Sequence, residues 1–243
     1  IIYSQELRAY SLVFFLSTLN LIFFFKIINL KNNKKITFII FTFLQILMIL
    51  SHPFTLIIFF STILFSIFEY LKFNKKFYEL NYSILITLIF TIFYLYFYFD
   101  NISTFPTWIE QPGLKFYTNF YFSKFFGSRL VGLIHLIVLL YLIITFFRKF
   151  IKNSDGIIIF LLIIILSYFL PLTYGYLFKP ILFPKYIIFI LAPIIILMSY
   201  LIFEIDNKKI KKTFITILVI FTLGNQFTET NIKQFFNERS FHK

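Results

Sequence analysis

Long apolar stretches alternate with brief polar punctuation along almost the whole chain. Charge-free runs cover residues 9–25, 36–68, 80–99, 130–147, 156–178, 186–203 and 213–228. Most are about 16–23 residues long, the length a helix needs to cross ~30 Å of hydrocarbon. Membrane strands alternate apolar and polar positions every second residue, and these runs do not. The pattern predicts an all-α, polytopic membrane protein.

The second run is too long for one crossing. Its 33 residues as one helix would span ~50 Å. Ser51-His52-Pro53 lies in its middle. Proline removes a backbone donor and disfavours helix at the residue before it. The reading is therefore a two-helix hairpin turning at His52, which makes about eight transmembrane helices; the alternative is one tilted, kinked helix.

Composition narrows the class. The chain is 60% hydrophobic and 14% charged, far from the balance of soluble domains and equally far from disorder. The formal charge is +13, which on a soluble protein would point to nucleic acid. Here the basic residues sit in short clusters between apolar runs, so the partner read from them is the lipid bilayer and not nucleic acid. There is no Cys, which excludes disulfides, thiolate metal sites and a Cys nucleophile. With 40 Phe in the chain, a single Phe carries little information.

Charge also sets the topology. Lys26, Lys31, Lys34 and Lys35 form one cluster, and Lys72, Lys75 and Lys76 a second. Arg148, Lys149 and Lys152 form a third, and Lys208, Lys209, Lys211 and Lys212 a fourth. A reversal at His52 places all four on one side, which then holds 14 of the 23 basic residues. The positive-inside rule makes that side cytoplasmic. The expected location is the cell's inner, or plasma, membrane. The opposite side collects Gln5, Glu6, Arg8, His52, an outer loop over 100–128, Tyr174 to Lys185, and the tail. Residues 1–243 read as a single integral membrane domain. The chain opens Ile1-Ile2-Tyr3, and the expectation is the C-terminal portion of a longer protein.

Several outer residues are able to carry chemistry. If Ser4 to Tyr10 is helical, Glu6 and Tyr10 lie one turn apart, as do Gln5 and Arg8, while Glu6 and Arg8 diverge. Arginine suits phosphate through its planar fork of donors; the alternative is a charge pair anchoring the helix at the interface. His52 either hydrogen-bonds a phosphate or sugar or caps its own turn. No second His or Cys is nearby in sequence, so no metal and no cofactor is assigned. Glu110 is a weak candidate for a general base, or else a solvated loop acid. Leu114 to Phe126, aromatic with scattered Lys and Asn, reads as an interfacial helix or an aromatic belt. Lys179 and Lys185 flank prolines and either hold an anionic headgroup or simply snorkel. His135, within a helix, reads as a packing hydrogen bond.

Four segments carry a resemblance. Tyr3-Ser4-Gln5-Glu6-Leu7-Arg8-Ala9-Tyr10-Ser11-Leu12 resembles the "YSQEaRpYaL" stretch of the C-type, multi-membrane-spanning glycosyltransferases. The branch is that of protein O-mannosyltransferases, the lipid A aminoarabinose transferase and rhizobial galacturonosyltransferase-like proteins. In the same order, Ser51-His52-Pro53-Phe54 is similar to the family's "tHyf" turn. Trp108-Ile109-Glu110-Gln111-Pro112 with Leu114-Lys115 looks like its "WiPpPslk" outer loop. Pro180 to Tyr186 followed by Pro193 resembles "lf.pRYllp.lP". Two departures stand out: Lys185 occupies the family's Arg position, and Glu110-Gln111 replaces a Pro.

The resemblance implies a polyprenyl-phosphate-sugar donor held at the outer leaflet and a lipid, glycan or protein acceptor. It implies substrate binding by Gln5, Glu6, Arg8, Tyr10, His52, Lys185 and Tyr186. The catalytic acid it implies would lie upstream of Ile1. The competing classes are a polytopic transporter, against which the scarcity of Gly and the run-end position of charges argue, and a flippase, polymerase or ligase for lipid-linked glycans.

Overall fold

A computed structural model describes residues 9–29, 34–98, 109–152 and 156–227. The regular elements among them are helices: α1 Ala9–Asn29, α2 Lys34–Ser51, α3 Leu56–Phe73, α4 Tyr78–Tyr98, α5 Leu114–Asn119 and α6 Phe122–Phe125. These are followed by α7 Arg129–Lys152, α8 Ile158–Leu177, α9 Leu191–Phe203 and α10 Lys208–Gln226. Short 3-10 segments, Pro53–Thr55 and Pro184–Ile190, lead into α3 and α9. Six stretches among the described residues are long and apolar enough to cross a membrane: Tyr10–Asn29, Pro53–Phe73, Tyr78–Phe97, Arg129–Phe147, Ile158–Leu177 and Pro184–Phe203. Lys35–Ser51 is apolar but shorter. Large side chains such as Phe15, Phe43, Phe93 and Tyr96 point outward, as helices solvated by lipid allow. Among the described residues the fold is all-helical, and its long apolar helices mark a membrane-embedded protein.

Packing divides it into two compact units, Ile1–Gln111 with Lys149–Ile195, and Pro112–Arg148 with Ile196–Lys243. In the first unit the helix directions follow from residue pairs. Phe24 meets Phe41 with ring centroids 6.3 Å apart, so α1 and α2 are antiparallel neighbours. Thr42 bonds Ser83, and Gln45 accepts from Thr87, so α2 and α4 run parallel. Ser66 bonds Asn81 across the α3–α4 turn, so those two are antiparallel. Helix α3 therefore runs opposite to α2, and the chain reverses between them. Phe25 packs on Phe160 at 5.3 Å, which starts α8 beside the end of α1.

The reversal has a local cause. Helix α2 stops at Ser51, whose hydroxyl turns back to the Met48 carbonyl at 2.7 Å. His52 is extended (φ −165°, ψ 132°), the conformation that Pro53 imposes on its predecessor. A single helix through the tripeptide does not form. At the other end α3 closes on Asn74 in the left-handed conformation (φ 52°), with the Lys75 N–H reaching the Glu69 carbonyl. Lys26, Lys35, Lys72, Lys75 and Lys76 all lie at this second end, so the described lysines of the first two clusters share it. Lys72 and Lys76 rest over Phe68 and Tyr70.

In the second unit α7 and α10 pack antiparallel. Tyr141 stacks on Phe214 at 5.8 Å, and Gly127 closes on Asn225. The sequence predicts one helix over 114–126; α5 and α6 form instead, separated by Phe120 and Tyr121 at φ 47° and 64°. The break lets Phe116 gather Tyr117, Phe120 and Tyr121 around it at centroid distances of 4.7–5.4 Å. It also lays α6 directly on α7 at Gly132, where a Cβ would collide with the Ser123 and Phe122 backbone. Phe126 then stacks on His135 at 4.0 Å, and His135 Nδ1 bonds the Val131 carbonyl at 2.8 Å, the packing role read from the sequence.

Candidate anion-binding site

The site lies at the end of the first unit opposite the lysines. Three segments far apart in sequence meet there. Tyr10 comes from the first turn of α1, His52 and Phe54 from the α2–α3 reversal, and Phe183, Lys185 and Tyr186 from the turn into the second 3-10 segment. The rings of Tyr10, His52 and Tyr186 contact one another at 5.3–6.0 Å. Phe54 packs on His52 and Tyr186 at 5.6 and 5.3 Å, and Phe183 on Tyr186 at 5.8 Å. The Lys185 ammonium sits over two of these rings, 5.5 Å from the centre of Tyr10 and 5.4 Å from that of Phe183. A cation over aromatic faces is attracted by their electron-rich centres.

His52 is locked in one tautomer. Its Nδ1 accepts the Phe54 backbone N–H at 3.2 Å, capping the 3-10 segment. Its own carbonyl accepts the N–H and hydroxyl of Thr55 at 3.0 and 2.8 Å. Burial pushes the imidazole down to about 4, so the ring is neutral at pH 7. A neutral ring whose Nδ1 is an acceptor carries its proton on Nε2. The site therefore presents an N–H donor, two phenols and an ammonium within an aromatic wall.

A second polar contact braces the neighbourhood. The Gln111 amide donates to the Gly175 carbonyl near the end of α8. Gly175 lies close under Pro180: a Cβ there would sit 3.4 Å from the Pro180 Cα. The segment after Glu110 is thus tied to the strand of chain that delivers Lys185. Glu110 itself is exposed and Ile109 is buried.

Of the residues singled out in the sequence, Tyr10, His52, Lys185 and Tyr186 come together. Gln5, Glu6 and Arg8 lie outside the described residues, as does Trp108. Among the described residues no three His, Asp or Glu side chains group as a metal site requires. Phe54 and Phe183, which wall the site, fell inside two of the resembling segments but were given no site role in the sequence analysis. Gln45 was missed as well. It is the one amide in the run 36–68, fully buried, and its Oε1 accepts Ser83 and Thr87 hydroxyls at 3.3 and 3.0 Å. No family model, curated protein or solved structure matches this chain.

Proposed function

We propose that the chain is part of a glycosyltransferase that takes a sugar from a polyprenyl-phosphate-linked donor on the extracytoplasmic face of the plasma membrane. One observation carries this reading: Tyr10, His52, Lys185 and Tyr186, drawn from three of the four segments that resemble the C-type glycosyltransferases, share one aromatic-walled, cationic cluster. A phosphate ester of a long isoprenoid needs an anion receptor beside an apolar solvent, and a sugar needs phenols and ring faces. The cluster offers both at the end of a membrane-embedded helix set. In the same reading α2 and α10 complete eight crossings, and the lysine-bearing end is cytoplasmic.

The chemistry follows from the donor. An acceptor hydroxyl oxygen bonds to the anomeric carbon as the anomeric carbon–phosphate oxygen bond breaks. The hydroxyl proton goes to a base, and the polyprenyl phosphate leaves with the electron pair. Lys185 Nζ and His52 Nε2–H are suited to the charge that develops on that leaving oxygen. Tyr10 and Tyr186 are suited to orient the sugar. Gln5, Glu6 and Arg8 belong to the same proposed donor site, and the acceptor is a lipid, glycan or protein.

The test is sugar transfer from labelled polyprenyl-phosphate-sugar by the full-length protein in proteoliposomes. Lys185→Gln removes a charged hydrogen-bond partner, worth ~1.5–3 kcal/mol, so transfer efficiency is expected to fall about 10- to 100-fold with protein levels unchanged. Wild-type transfer by that variant would remove Lys185 from the site. Donor movement across the bilayer without a change in its sugar–phosphate bond would assign the chain to lipid flipping instead.

A further inference from the structure

We infer that Asn20 and Gln45 form a side-chain amide pair across the α1–α2 seam, and that the pair positions Tyr10 and His52. The buried stripe of α1 runs through Tyr10, Val13, Ser17, Asn20, Phe24 and Ile27, and that of α2 through Thr37, Phe41, Gln45 and Met48 toward His52. These spacings of three and four residues keep each set on one helix face. Two contacts fix how the faces meet: Tyr10 with His52 at 5.7 Å, and Phe24 with Phe41 at 6.3 Å. Asn20 lies one turn above Phe24, and Gln45 one turn above Phe41. Both therefore fall between the two observed contacts, at one level of one interface.

Each is fully enclosed, at 1% and 0% exposure, and each has an amide nitrogen with no hydrogen-bond partner: Asn20 Nδ2 and Gln45 Nε2. An amide N–H buried in a membrane interior is costly to leave unpaired. Reciprocal pairing, each NH2 donating to the other's oxygen, satisfies both at once. Gln45 Oε1 already accepts two hydroxyls, so one must yield. The weaker is Ser83, at 3.3 Å against 3.0 Å for Thr87. Ser83 has an alternative acceptor in the backbone carbonyl one turn back, as Thr91 uses the Thr87 carbonyl at 2.8 Å. The result is one polar chain, Asn20–Gln45–Thr87, that fixes the rotation of α1 and α2 against α4. Those two helices carry Tyr10 and lead to His52. Asn20 and Gln45 touch no substrate; they act through the residues they hold.

The chain has no cysteine, so two introduced thiols report proximity without background. Asn20→Cys with Gln45→Cys is expected to cross-link on oxidation in membranes. Phe15→Cys, on the exposed face of α1, with Gln45→Cys is not. Failure of the first pair to cross-link, or equal cross-linking by the second, overturns the pairing. The positioning role rests on the proposed transferase and has its own readout. Asn20→Leu and Gln45→Leu should each raise the KM for the labelled donor several-fold, and the exchanged pair Asn20→Gln with Gln45→Asn should restore it. Unchanged KM in both Leu variants overturns positioning even if the cross-link forms. Absence of transfer by the wild-type protein defeats the functional reading and leaves the cross-linking result standing.

Discussion

His52 serves local structure and site chemistry with the same ring. Its Nδ1 is spent on the Phe54 N–H, and that use dictates the Nε2 proton offered to the cluster. The cost is a dependence on pH. An imidazole whose pKa falls from 6.5 unfolded to about 4 folded binds fewer protons in the native state between those values. Stability is then level above about pH 6.5 and declines as pH falls toward 4. Thermal unfolding in detergent from pH 7.5 to 4 should show that decline. It should be reduced in His52→Asn, whose side-chain oxygen still caps the turn but does not titrate. An equal pH response in the variant would assign the decline to other groups. Lys185 differs in kind: it acts as a cation over the Tyr10 and Phe183 rings, and Lys185→Arg should retain most of the transfer that Lys185→Gln loses.

Helices begin and end here for reasons of different reach. The stop of α2 is local, since Pro53 and the Ser51 hydroxyl suffice, and it is legible from the sequence. The break between α5 and α6 is not. Nothing in Leu114 to Phe126 except length marks Phe120 and Tyr121 for left-handed backbone, which neither residue favours. They adopt it because Phe116 gains three aromatic neighbours and α6 gains a seat on Gly132. Gly132→Ala places a methyl group into the backbone of Phe122 and Ser123, where no flexible side chain is able to yield. Overpacking of this kind costs ~1–3 kcal/mol. The expected result is a lower unfolding temperature in detergent, with Gly224→Ala, whose Cβ meets nothing, near wild type as the control.

At the level of the molecule, the helix directions in the first unit put a lysine-rich end and an aromatic, histidine-bearing end at opposite extremes. A membrane turns that polarity into sidedness. In the absence of native thiols, Glu110→Cys and Lys75→Cys report on one end each. A membrane-impermeant maleimide applied to intact cells should label position 110 and should reach position 75 only after permeabilisation. The reverse pattern would invert the orientation and move the proposed donor site to the cytoplasmic leaflet.

Apolar run length, the Pro at 53 and the spacing of lysine clusters are one-dimensional quantities, and lipid as solvent acts on them directly. They are enough for a helical membrane protein that reverses at His52. Which side chains meet is a different matter, because it depends on helix rotation and register, and those are settled between segments. Tyr10, His52 and Lys185 were identifiable as unusual residues, yet their common cluster required α1, the reversal and the 184–190 turn to be packed together. The site role of Phe54 and Phe183 was hidden among 40 phenylalanines, since an apolar ring facing a site and one facing lipid look alike in a sequence. Asn20 and Gln45 were hidden for the opposite reason: each is a lone amide in an apolar run, and only the antiparallel register of α1 and α2 brings two such residues to one depth.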